Sequence, residues 1–152
     1  MKNSVKISEI IKPYNKTMEI EGDKSLSIRW ALLASQSSGK SKSFNLLKSE
    51  DVIDTLKCLR KLGIKINLYK NSCEIFGKGI NGFNYKKKLV LNAGNSGTLG
   101  RLMMGLLIHS KGKIIMKGDN SLSKRDFLRV TKPLKMFGAN FKTTQGKLPI
   151  TI

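Results

Sequence analysis

The same arrangement occurs twice in this chain: a β-run ends in a Gly-rich polar turn, and the helix that follows carries an arginine two turns in. The copies are Gly22-Asp23-Lys24-Ser25-Leu26-Ser27-Ile28-Arg29 and Gly94-Asn95-Ser96-Gly97-Thr98-Leu99-Gly100-Arg101, with seven positions from glycine to arginine in each. A helix N-terminus offers unpaired backbone N–H groups and the positive end of the macrodipole, and an arginine adds a planar fork that suits phosphate or carboxylate. Each copy therefore reads as an anion site. Two of them point to a substrate pair carrying several negative charges.

The repetition extends beyond the turns and sets the fold. After each first helix comes a glycine turn into a short strand, Ser38-Gly39-Lys40 in one copy and Lys111-Gly112-Lys113 in the other. A second helix is predicted over about 50–62, ending at Gly63, and over about 124–137, ending at Gly138; both glycines are placed to supply left-handed C-caps. Paired β-runs follow, 65–69 with 72–76 and 140–144 with 148–152, and Asn71 and Gln145-Gly146 lie at the hairpin tips. The chain is thus expected to be an α/β (α+β) protein of two β-α-β-α-β-β units, 14–85 and 86–152. Residues 1–13 are expected to form a preceding strand that belongs with a further domain rather than with these units. The helical segments 26–34 and 99–108 are apolar around most of their circumference, so they need cover on every side, and helices inside with sheets outside is the expected packing.

With 39% hydrophobic residues the chain can build a real core, and no apolar run reaches membrane-spanning length. The N-terminal residues lack the apolar stretch of a secretory signal, so a cytoplasmic setting is expected. Cys58 and Cys73 form no Cys-x-x-Cys pair and His109 has no companion at ligand spacing, so the thiols read as reduced and structural, and no metal is expected. The net charge of +19 invites a nucleic-acid reading. Yet the excess is mostly lysine scattered along the chain, densest at Lys86-Lys87-Lys88, without the aromatic interleaving that stacks bases. Attraction for small anions is the better reading.

The five arginines are more selective than the lysines: Arg29, Arg101 and Arg125 fall beside Gly- or Ser-rich turns, whereas Arg60 and Arg129 lie within predicted helices and read as solvated. Gly39-Lys40-Ser41 imitates the end of a P-loop but leads from a helix into a strand, the reverse of the order phosphate cradling needs. Gly94, Gly97 and Gly100 are not spaced as a dinucleotide fingerprint. Neither ATP nor NAD is supported.

Three ordered strings, Gly22-Asp23-Lys24-Ser25-x-Ser27-x-Arg29, Gly94-Asn95-Ser96-Gly97-Thr98-x-x-Arg101 and Gly118-Asp119-x-Ser121-Leu122-Ser123-Lys124-Arg125, resemble the 5-enolpyruvylshikimate-3-phosphate synthase family from about residue 7 onward. The resemblance implies two similar domains in a full protein, each of three β-α-β-α-β-β units in an inside-out barrel. This chain would hold two units of the six, with the third unit and the second domain lying beyond it. It also implies transfer of the enolpyruvyl group of phosphoenolpyruvate to the 5-hydroxyl of shikimate 3-phosphate, with release of phosphate, in chorismate and aromatic amino-acid biosynthesis, without metal or organic cofactor.

Carried over by motif position, Lys24, Ser25 and Arg29 would hold shikimate 3-phosphate, with Lys24 also reaching phosphoenolpyruvate as the catalytic lysine. Asn95, Gly97 and Thr98 would line the phosphoenolpyruvate pocket, and Arg101 and Arg125 would bind its charged groups. The family's proton-transfer groups belong to the later domain, so the chain alone is expected to have no turnover. Gly97 implies sensitivity to the herbicide glyphosate, since a larger residue can stand there in the resistant branch, although the string Ser121-Leu122-Ser123-Lys124-Arg125 otherwise resembles that branch more closely.

Some positions depart from the family. Glu21 replaces a usual proline, Ile28 a usual His or Asn, and Asp126 a common proline. Asp126 stands three residues after Ser123, which allows a capping box, or alternatively an ion pair with Arg125. The sister transferase that acts on UDP-N-acetylglucosamine typically shows Ser-Lys-Asn where this chain has Asp23-Lys24-Ser25, and a reactive cysteine in the turn 119–123, which has none. A non-catalytic anion-binding module or half of a split enzyme is the reading from a different class.

Overall fold

Alternating burial along the strands and one-sided burial of the helices sort the chain into two sheets backed by helices. The computed structural model describes residues 6, 8, 12, 13, 15–18 and 20–152. The elements are α1 (Lys24–Gln36), β1 (Ser38–Phe44), α2 (Glu50–Lys61), β2 (Lys65–Leu68), β3 (Ser72–Lys78), β4 (Lys88–Asn92), α3 (Gly97–Leu106), β5 (Lys113–Lys117), α4 (Asn120–Ser123), α5 (Leu128–Met136), β6 (Lys142–Thr144) and β7 (Lys147–Thr151).

The first sheet has the order β1-β3-β2 and the second β4-β5-β7-β6. In the first, β3 runs antiparallel to both neighbours, with Ser38 opposite Lys78 and Ile66 opposite Ile75. In the second, β7 is likewise antiparallel to β5 and β6, while β4 lies parallel to β5 and is joined to it through α3. The outer edge of β1, which corresponds to the edge of β5 that β4 fills, has no ladder among the described residues. The β-run expected before Gly22 forms no ladder there either; the Ile20 carbonyl instead accepts from the Asn45 side-chain amide at 2.9 Å. The strand expected over 1–13 falls mostly outside the described residues.

Two helix ends are closed alike. Gly63 and Gly138 have φ of 84° and 86°, and the next residue returns its N–H to the helix, Ile64 to Leu59 O at 3.1 Å and Ala139 to Leu134 O at 3.3 Å. That is the Schellman closure. At the β6–β7 tip, Gln145 and Gly146 take φ of 53° and 71°, the left-handed pair whose twist matches the strands it joins.

The helix predicted over 124–137 starts four residues late, and a separate turn of helix precedes it. α4 stops at Ser123 and α5 starts at Leu128. The Asp126 carboxylate accepts from the Leu128 N–H at 2.8 Å, and Phe127 turns inward to full burial. A short polar side chain that hydrogen-bonds its own backbone competes with helix continuation. Asp126 therefore builds neither a capping box with Ser123 nor an ion pair with Arg125.

The core is continuous across both sheets. Ile28, Ala31 and Leu32 of α1, Val52, Leu56 and Leu59 of α2, and Leu99, Met103 and Met104 of α3 meet Cys73 and Ile75 of β3, Ile114 and Met116 of β5 and Ile150 of β7. Each fully buried aliphatic side chain contributes about 1.5–3 kcal/mol. Ile28 is wholly buried, so this departure from the family serves packing. The opposite face of α1 is open: Leu26 and Leu33 are 63% and 70% exposed, with Leu102 of α3 41% exposed.

Candidate functional site

Three turns start helices in the same way. Asp23 caps α1 by accepting from Leu26 N–H at 2.7 Å, Ser96 caps α3 by accepting from Leu99 N–H at 3.3 Å, and Asp119 caps α4 by accepting from Leu122 N–H at 2.7 Å. Such caps fix where each helix begins and how its first side chains project. The second and third turns are also tied together, since the Asp119 N–H donates to the Gly94 carbonyl at 2.8 Å and the Ala93 N–H to that of Lys117 at 2.8 Å.

This frame brings Asn95, Gly97, Arg101 and Arg125 into one place. Arg125 Nη2 donates to Asn95 Oδ1 at 3.0 Å. Arg101 lies with its guanidinium 5.0 Å above the Phe127 ring and donates from Nη2 to the Asp126 carbonyl at 3.4 Å. A Cβ placed on Gly97 would stand 2.5 Å from Arg101 Nη1 and 3.4 Å from Arg125 Nη1. Gly97 has no positive φ, so the glycine is needed here for the approach of the two guanidiniums rather than for backbone conformation. Thr98 follows at the start of α3, half-buried.

The electrostatics are those of an anion site. Burial first, then the charges of Arg129 and Arg125, pulls the Arg101 pKa below the ordinary arginine value, and only Asp126 opposes them. Arg101 Nε is buried without a hydrogen-bond partner. A buried donor left unpaired costs about 1–3 kcal/mol. An anion held between the two guanidiniums would offset their mutual repulsion.

Lys24, Ser25 and Arg29 lie together on the first turns of α1. Lys24 Nζ is 3.2 Å from Asp51 Oδ2, a carboxylate on the first turn of α2. Arg29 is exposed and has no ion pair among the described residues. No hydrogen bond or ion pair joins this group to Asn95, Arg101 or Arg125 among the described residues. α2 links the two groups another way: one turn beyond Asp51, the Asp54 carboxylate lies directly against Gly94, leaving no space there for a Cβ.

Asp51 and Asp54 are the residues that sequence reasoning does not single out. Their three-residue spacing puts them on one face of α2, but nothing local in the sequence says that this face meets both turns. Arg129, read from sequence as solvated, is close enough to Arg101 to depress its pKa.

Capped turns that gather two arginines over a glycine give this α/β protein a concentrated positive site. The family model for EPSP synthase (3-phosphoshikimate 1-carboxyvinyltransferase) matches residues 8–152. The chain belongs to the EPSP synthase family. It is 38% identical over 141 residues to a 3-phosphoshikimate 1-carboxyvinyltransferase of Syntrophomonas wolfei, covering 93% of this chain and 33% of that protein. The corresponding protein of Vesicomyosocius okutanii is 43% identical over 147 residues, again 33% of its length. The EPSP synthase structure from Acinetobacter baumannii superposes with a TM-score of 0.83 at 36% identity, covering 89% of this chain and 31% of that one. The chain thus spans about a third of the relatives it matches.

Proposed function

We propose that this chain supplies the N-terminal part of a cytoplasmic 3-phosphoshikimate 1-carboxyvinyltransferase. In this reading 14–85 and 86–152 are two β-α-β-α-β-β units of the inside-out barrel, and the open face of α1 and α3, with Leu26, Leu33 and Leu102, awaits the third unit. The substrates are shikimate 3-phosphate and phosphoenolpyruvate.

The observation that carries the reading is the convergence of Arg101 and Arg125 above Gly97. Phosphoenolpyruvate brings a phosphate and a carboxylate, and two guanidiniums meeting at a bare glycine match such a ligand in charge and in donor geometry. Arg101 Nε supplies a donor without a partner, and Asn95 orients Arg125 through its side-chain oxygen. Lys24, Ser25 and Arg29 face shikimate 3-phosphate. Asp51 holds the Lys24 ammonium in place, and Lys24 reaches the phosphoenolpyruvate side during reaction. Donors positioned in advance stabilise charge that develops as the carbon–oxygen bond to phosphate breaks. The proton-transfer groups come from the rest of the protein, so the chain alone gives no turnover.

The experiment joins this chain to the remaining two thirds of the Syntrophomonas wolfei protein and measures phosphate release with both substrates. Release that requires both substrates supports the reading, and none from the chain alone is expected. A folded chimera that releases no phosphate, beside an active intact relative, refutes it and leaves an anion-binding module.

A further inference from the structure

Arg129 reads from sequence as a solvated residue within a helix, yet the fold sets it three residues beyond Asp126, whose carbonyl Arg101 grips. It stands on the first turn of α5, immediately after the segment that Arg101 grips through the Asp126 carbonyl and the Phe127 ring. α5 packs against α3, which carries Arg101. Arg129 is exposed, and no carboxylate among the described residues forms an ion pair with Arg101, Arg125 or Arg129. The Asp126 carboxylate is engaged by the Leu128 N–H at 2.8 Å. Three guanidiniums are therefore gathered around a single acid that is already hydrogen-bonded elsewhere.

Resting on the reading of Gly97, Arg101 and Arg125 as an anion cradle, we propose that Arg129 is a third cationic arm of that cradle. It lies outside the contact zone and draws phosphate and carboxylate groups inward. It is a positioning residue and touches neither substrate. Its charge, like that of Arg125, lowers the Arg101 pKa. A charge a few ångströms outside a partly dried site acts on a dianion at an effective dielectric well below that of water, and its effect fades as salt is added.

Inorganic phosphate titrated into the isotope-labelled chain at fixed ionic strength, with the arginine Nε–Hε resonances followed, tests this. In the unaltered chain the Arg101 and Arg125 signals move. Arg129→Gln weakens phosphate binding roughly three- to tenfold and flattens its dependence on ionic strength. Arg129→Lys restores most of the affinity, and Lys135→Gln, which removes the same charge from the far end of α5, leaves binding unchanged. The backbone amide spectrum verifies that each variant folds. Affinity and salt dependence in Arg129→Gln equal to the unaltered chain overturn the inference and leave the cradle standing. Arg101 and Arg125 signals that do not move in the unaltered chain overturn the cradle, and the inference with it.

Discussion

Arg101 and Arg125 bring their Nη1 atoms to the same side of Gly97, so that a single added methyl would meet both, at 2.5 and 3.4 Å. Two positive groups are pressed over a bare backbone with one buried donor, Arg101 Nε, left free. The Phe127 ring and the Asp126 carbonyl hold Arg101, and Asn95 holds Arg125, but these contacts leave like charges facing each other and one donor unpaired, and both are costly. The proposed anionic ligand would supply the reason.

Gly97→Ala therefore separates binding from folding. The atoms that must move are the ends of long side chains, so stability stays within about 1 kcal/mol. Phosphate affinity, read by the arginine resonances, falls at least about tenfold, equivalent to about 1.4 kcal/mol. In the chimera, the inhibition constant of glyphosate shifts with the same substitution; an unchanged constant would sink the proposed link between Gly97 and herbicide sensitivity.

Gly22→Ala has the opposite outcome. Its Cβ would collide with the Asn45 carbonyl and approach the Leu47 backbone nitrogen, neither of which can swing away. Urea unfolding is expected to show a loss of about 1–3 kcal/mol. Unaltered stability would mean that the first turn does not pack on the 45–47 segment as described.

Lys24 and Asp51 form a partly exposed pair, with side chains 51% and 20% accessible, and such pairs are worth about 0–1 kcal/mol. Lys24→Met should leave the unfolding midpoint nearly unchanged while lowering phosphate release by the chimera about a hundredfold or more. Activity that survives the substitution contradicts the catalytic assignment.

Cys58 gives a pH signature. Burial pushes its thiol up to about 11, only partly offset by its hydrogen bond to the Asn92 carbonyl. The folded state thus keeps a proton that the unfolded chain releases near the ordinary thiol value of 9.0. The stability tied to this group is complete below that value and is lost as pH rises from about 9 toward 11. At neutral pH a thiol reagent should label native Cys58 only as fast as the fold opens; rapid labelling of the native chain would contradict the buried placement.

Features governed by neighbours in sequence were legible: the C-cap glycines Gly63 and Gly138, the Gln145-Gly146 tip, and the turns that lead into α1 and α3. Each depends on a residue's own backbone preference or on a partner three or four positions away. The late start of α5 was not, because the positions before it carry no breaker that sequence pattern reveals, while Asp126 diverts the backbone through its own hydrogen bond to the Leu128 N–H. The pairing of Asp51 with Lys24 and the nearness of Arg129 to Arg101 were hidden as well. Both arise from helix packing between distant segments, which leaves no trace in local pattern.

The most direct test of the account is a crystal structure of the chimera with shikimate 3-phosphate and phosphoenolpyruvate bound. The account predicts phosphoenolpyruvate oxygens within hydrogen-bonding distance of both Arg101 and Arg125 above Gly97, with the Arg101 Nε donor or its Nη1 neighbour engaged. Phosphoenolpyruvate bound elsewhere, with the two guanidiniums unoccupied, would contradict it.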